Sequence, residues 1–230
     1  MTPAPVITID GPSGTGKGTI AALLAEHLGW HLLDSGALYR TLALAARRQG
    51  VDLEDGARLG RLASTIAVQL TGERVDLDGE DVSALIRTAE AGVDASRVAV
   101  HPQVREALLG WQRNAALAPG LIADGRDMGS RVFPGALLKV YLDASPEERA
   151  RRRYKQLKDK GLDANLGDLV EELRVRDARD RERAASPLQI PPGAIVVDST
   201  QWSIEQVFAE IRGLAETAIA ASGAVDKTSA

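Results

Sequence analysis

The short stretch Gly11-Pro-Ser-Gly-Thr-Gly16-Lys17 constrains the fold of this chain more than any other feature. It follows a β-branched run, Val6–Asp10, and precedes a segment carrying Ile20, Leu23, Leu24 and Leu28 at helical spacing. A glycine-rich turn at such a junction lets main-chain amides curl onto phosphate oxygens, and the helix N-terminus adds its positive dipole. Lys17 then reaches the outer phosphates of a nucleotide. A plain turn without a ligand is the bland reading, but this spacing between strand and helix is specific. The predicted ATP-binding residues are Gly11, Pro12, Ser13, Gly14, Thr15, Gly16, Lys17, Gly18 and Thr19. The usual pattern has Ser or Thr directly after the lysine, whereas Gly18 intervenes here. The direct hydroxyl–magnesium bond is therefore not expected, and the ligands of Mg²⁺ are predicted to be mainly water and ATP oxygens.

Strand-like runs recur at His31–Asp34, Leu121–Asp124, Leu137–Leu142 and Ile195–Asp198. Helical patterns lie between them, at Gly36–Arg48, Pro102–Ala118 and a charged stretch from Ser145-Pro146-Glu147-Glu148 to about Ala185. Ser203-Ile-Glu-Gln206 offers a capping box for a terminal helix. Alternating strands and helices predict an α/β fold, a parallel sheet covered on both faces. In one segment the period changes: Val68, Leu70, Val75 and Leu77 alternate with polar residues around Thr71-Gly72 and Asp78-Gly79, which predicts a small antiparallel meander. The expected division is a core over 1–61 and 101–222, an insertion over 62–100, and a flexible tail over 223–230.

Composition narrows the partners. Among 230 residues the formal charge is −4, so the surface as a whole does not attract polyanions. Aromatics make up 3%, too few for a base-stacking platform, and nucleic acid is not expected as a partner. There is no cysteine, which excludes disulfides and thiolate metal sites, and three histidines make a His-rich centre implausible. Met1-Thr-Pro leads straight into the first strand, and no run is long enough to span a bilayer, so the cytoplasm is the expected compartment.

A second anion-binding surface is legible opposite the loop. Asp34-Ser35-Gly36 with Tyr39-Arg40 follows the second strand, and Gly125-Arg126-Asp127 follows the third. Both end on the carboxyl edge, where doubly wound sheets bind ligands. Each has a plain reading, Asp34-Ser35 as a helix cap and Arg126-Asp127 as a loop ion pair. Arg176, Asp180 and Arg183 fall at i, i+4 and i+7, one helix face, although a solvated salt-bridged helix explains that spacing equally well. With Arg149, Arg151, Arg152 and Arg153 they predict a dense, mobile basic cover that excludes water.

Together, Ile9-Asp-Gly-Pro-Ser-Gly-Thr-Gly-Lys-Gly-Thr19, Leu33-Asp-Ser-Gly-Ala-Leu-Tyr-Arg40, Ile122-Ala-Asp-Gly-Arg-Asp-Met128 and the Arg-Asp-rich segment to Arg183 closely resemble the bacterial cytidylate kinase family of nucleoside monophosphate kinases. The resemblance implies a P-loop kinase with a five-stranded parallel sheet, a monophosphate-binding insertion and a helical lid over about 151–185. It implies ATP and CMP or dCMP as substrates, Mg²⁺ as cofactor, no obligate protein partner and a monomer. By the same resemblance, Lys17 and Arg126 are the catalytic pair, and Arg40 and Arg126 clamp the acceptor phosphate. Ser35, Arg105, Asp127 and Arg183 form the cytosine pocket, and Ser96, Arg176 and Asp180 contact the sugar. Base chemistry agrees, because a carboxylate accepts from the cytosine N4 amine while an arginine donates to the adjoining acceptors. Asp127 with Arg183 supplies that pairing. A P-loop kinase of a small alcohol, with Asp34 or Asp127 as base, and a nucleotide-dependent switch are the competing readings.

Overall fold

The computed structural model describes residues 4–223 except 73, 160 and 162; of the expected tail, residues 224–230 lie outside the described residues. Strand β1 (Val6–Asp10) is buried along its whole length, as a β-branched run at the centre of a doubly covered sheet must be. It feeds the glycine loop and helix α1 (Lys17–Leu28), and β2 (His31–Asp34) follows. The later strands are β6 (Leu121–Gly125), β7 (Leu138–Asp143) and β8 (Ile195–Asp198). All five pair in parallel in the order β2-β6-β1-β7-β8. Opposite Asp10 stand Gly125 on one side and Tyr141 on the other, so the ends of β1, β6 and β7 form one edge. The chain turns to β2 on one side of β1 and to β7 on the other, and the glycine loop lies at this reversal.

Helix α2 (Ser35–Arg48) starts where β2 stops, because the Asp34 side chain caps it through the Ala37 amide at 2.9 Å. Helix α3 (Gly56–Ala63) precedes the predicted meander, which is present as an antiparallel sheet of β3 (Val68–Thr71), β4 (Arg74–Leu77) and β5 (Glu80–Asp81). Asp78 and Gly79 both take positive φ, the pairing that a tight hairpin turn between β4 and β5 demands. Helix α4 (Ala89–Val98) then packs against α2.

Helix α5 (Pro102–Asn114) ends before the predicted Ala118, since Pro119-Gly120 biases the residues before it away from helix. The charged stretch is not one helix but two, α6 (Pro146–Asp159) and α7 (Leu166–Glu182). Gly161, at φ +70°, turns the chain, and the Asn165 side chain caps α7 through the amides of Gly167 and Asp168. Helix α8 (Ile204–Ser222) opens on the predicted capping box of Ser203 and Gln206.

Two main cores support this arrangement. One joins β1, α1, β7 and α8 through residues such as Ile7, Ile20, Leu24, Val140 and Ile211. The other gathers α2, α3, α4, α5 and the antiparallel sheet around Leu38, Leu42, Leu59, Val98 and Leu108. A smaller cluster of Ala150, Leu169 and Leu173 seams α6 to α7. Among the described residues, no helix is long and apolar enough to cross a membrane.

Candidate active site

The glycine loop closes on itself through its carbonyls. Gly11 takes φ +145° against β7, where an added Cβ would lie 2.0 Å from the Leu142 carbonyl oxygen, so only glycine fits. Lys17 Nζ donates to the Pro12 carbonyl at 2.7 Å, and Thr15 Oγ1 donates to the same oxygen at 3.3 Å. Arg149 Nη1 donates to the Ser13 carbonyl at 2.9 Å, and Arg152 Nη1 to that of Thr15 at 3.0 Å. With these acceptors occupied, loop amides remain for a ligand.

Lys17 is 5% exposed. Burial and then the Arg126 charge push it down to about 7, against the opposing pull of Asp124 and Asp10. Asp124, near the end of β6, is raised by burial, while Lys17 holds it down. A Cβ on Gly18 would stand 3.4 Å from the Asp124 Oδ2, so this carboxylate lies directly under the start of α1. Asp10, fully buried at the end of β1, accepts from the amides of Met128 at 2.8 Å and Gly129 at 2.7 Å. Burial raises it to about 7 despite those two bonds. It therefore ties β1 to the segment that carries Arg126 and Asp127. Asp10 and Asp124 are not among the residues the sequence analysis singles out; the available signal is an acid closing or nearly closing each apolar run, in VITID and LIADG.

Opposite the loop, a cleft of about 790 Å³ brings together all of the predicted residues on α2, α4, α5, α7 and the end of β6. Arg40 donates to Asp34 at 2.9 Å, so Asp34 both caps a helix and steers an arginine. Arg126 Nε donates to Asp180 at 3.2 Å, across from α7. The buried carboxyl of Asp180 pays a burial penalty, but Arg126, Arg183 and Arg176 outweigh it and hold the group below the usual carboxylate range. Arg176 is pushed down to about 10 by burial and by Arg126.

Asp127 accepts from Arg105, another residue of the expected cytosine pocket, and both members of that pair are buried. Arg105 also donates to the Ala99 carbonyl at 3.2 Å and lies over the Tyr39 ring at 5.6 Å. Arg183 has left the helix, with φ −61° and ψ 136°, and is held by the Ser186 carbonyl at 2.5 Å, with Asp180 3.9 Å away. It reaches the cleft from beyond the helix end rather than from a shared face. The predicted basic cover is also divided. Arg151 and Arg174 are exposed and paired with Glu148 and Glu147, while Arg149 is sequestered from the cleft. Among cleft-lining residues, Arg40 Nε, Ser96 Oγ, Arg105 Nε, Arg176 Nε and Arg183 Nη2 are buried without a hydrogen-bond partner among the described residues. Buried donors in that state are costly unless a polar or anionic ligand satisfies them.

The family described as cytidylate kinase matches residues 7–217. A cytidylate kinase of Photobacterium profundum is 57% identical over 95% of this chain and 97% of its own. One from Aeromonas salmonicida is 58% identical over 93% and 94%, and one from Pseudomonas entomophila 59% over 91% and 94%. A match of that extent, together with the phosphate loop and the arginine-lined cleft facing it, means that the chain belongs to the cytidylate kinase family.

Proposed function

We propose that this chain transfers the γ-phosphate of ATP directly to CMP, and to dCMP. One observation carries the reading furthest: a single cleft joins the phosphate loop to a buried Asp127–Arg105 pair and to unpartnered arginine donors. In this reading ATP lies on the Gly11–Thr19 loop with Lys17 on its outer phosphates. Asp127 accepts from the cytosine N4 amine, while Arg105, Arg183 and Ser35 address the rest of the base. Ser96, Arg176 and Asp180 take the sugar, and Arg40 and Arg126 the acceptor phosphate. The elements from β3 to α4 form the monophosphate side, and α6 with α7 the lid.

The acceptor phosphate is mostly dianionic at neutral pH, so no strong base is required. Positioning and charge neutralisation by Lys17, Arg126 and the other arginines supply the catalysis. Among the described residues no group of three or more acidic or histidine side chains could hold a metal alone. A magnesium ion carried in on ATP would fit such a site, where Asp124, whose carboxylate lies beside Gly18, could accept from one of its waters, and it would neutralise charge on the phosphates.

The test is a coupled assay of ADP formation with ATP, magnesium and a panel of AMP, CMP, dCMP, UMP and GMP. CMP and dCMP should be used far better than AMP or GMP. Efficient AMP phosphorylation with inert CMP would overturn the assignment.

A further inference from the structure

Arg149 on α6 is 1% exposed and is not among the residues that line the cleft. Yet every arm of its guanidinium is used. Nε donates to the Ala144 carbonyl at 3.0 Å, and Nη1 to the Ser13 carbonyl at 2.9 Å. Nη1 and Nη2 also meet the two oxygens of Asp177, at 3.2 and 2.5 Å. Asp177, 2% exposed, sits on α7 between Arg176 and Asp180. The loop rests on the same shaft, since a Cβ on Gly14 would lie 3.2 Å from the Arg149 Cβ.

Peptide geometry gives this contact a direction. In a trans peptide the carbonyl and the following N–H point opposite ways. Holding the Ser13 oxygen toward Arg149 therefore turns the Gly14 N–H away from it, and Gly14 lines the cleft. A buried ion pair is poor evidence of stability, because apolar residues of similar size often replace one without loss. Orientation is what such residues could not supply.

We propose that Arg149 and Asp177 are positioning residues for phosphoryl transfer: they aim the Gly14 amide at the donor phosphates and hold the phosphate loop in register with the helix bearing Arg176 and Asp180. This rests on the kinase reading for the identity of donor and acceptor. The pair acts on alignment between the two substrates more than on the binding of either, so its loss falls on kcat.

The experiment compares wild type with Arg149→Met/Asp177→Leu, a swap of the ion pair for apolar side chains, and with Arg149→Lys, which keeps the charge but loses the fork. Melting temperature is recorded for each. In a folded variant kcat should drop about thirtyfold or more, the scale of a small misalignment of reactants. The separate dissociation constants for CMP and for a non-hydrolysable ATP analogue should each change less than about fivefold, since ground-state binding is largely retained. In wild type the Gly14 amide resonance should move downfield when the analogue is added, and this shift should shrink in Arg149→Lys. A folded double variant with kcat within twofold of wild type would overturn the proposal, as would binding losses as large as the loss in kcat. Should neither variant fold, an unmoved Gly14 amide in wild type overturns it. Wild type inert toward CMP would instead sink the kinase reading, and the Gly14 measurement, which needs no acceptor, separates the two failures.

Discussion

At the scale of single residues, Asp127 and Lys17 carry the sharpest consequences. Asp127→Asn keeps the shape of the pocket but adds an amide donor able to face the O4 acceptor of uracil. The kcat/KM advantage of CMP over UMP should shrink by roughly 1–3 kcal/mol, the worth of one good base contact. Melting temperature should also fall, because Arg105 remains buried beside a neutral partner. A folded mutant with an unchanged CMP/UMP ratio would show that Asp127 does not read the base. Lys17 predicts a pH effect. Without nucleotide, burial and Arg126 hold it down to about 7. A bound triphosphate favours the charged form and raises it, so binding takes up a proton above that pH. Affinity for ATP should therefore fall as pH rises from 7 toward the ordinary lysine range. Calorimetry in buffers of different ionisation enthalpy should count close to one proton at about pH 8 and close to none at about pH 6. No proton uptake at the higher pH would mean that Lys17 stays charged throughout. Neither the partner of Asp127 nor the depressed state of Lys17 was legible in the sequence. Arg105 and Asp127 are 22 positions apart, and spacing says nothing about which cation meets which anion across a fold.

At the scale of elements, local rules read well wherever one periodicity ran to a clear stop. The runs at Val6–Asp10 and Ile195–Asp198, the Asp78-Gly79 turn and the Ser203–Gln206 box all stand where the pattern put them. The lid region shows why the rest was lost. Charged residues at every phase hid the break at Gly161 and Asn165, and nothing local announced that α7 stops at Glu182. The face shared by Arg176 and Asp180 survives that correction. Asp180→Ala should raise KM for CMP roughly tenfold to a hundredfold, the loss of a hydrogen bond to a charged group, with little change in KM for ATP. Exposed Arg181→Ala is the control. An equal effect from it would leave α7 a solvated helix with no face toward the substrate.

At the scale of the whole molecule, the two cores divide the cleft between them. Ile7, Ile20 and Leu24 belong to the core of β1 and α1, which flank the glycine loop, whereas Leu38, Leu42 and Val98 belong to the core of α2 and α4, which carry Ser35, Arg40 and Ser96. Leu24→Ala and Leu42→Ala should each cost about 2–5 kcal/mol of stability by leaving a cavity. Measured well below the melting point, Leu42→Ala should change KM for CMP more than KM for ATP, and Leu24→Ala the reverse. Matching changes in both constants from either variant would mean that the cores do not act separately. Distant, independently packed sites contribute additively, and that has a consequence for descent as well as for stability. On the proposed assignment, a lineage could try new acceptors through changes in the core that includes α2, α4 and α5 while the half proposed to hold ATP stays as it was inherited. Drift in what the enzyme phosphorylates then leaves intact the machinery with which it phosphorylates.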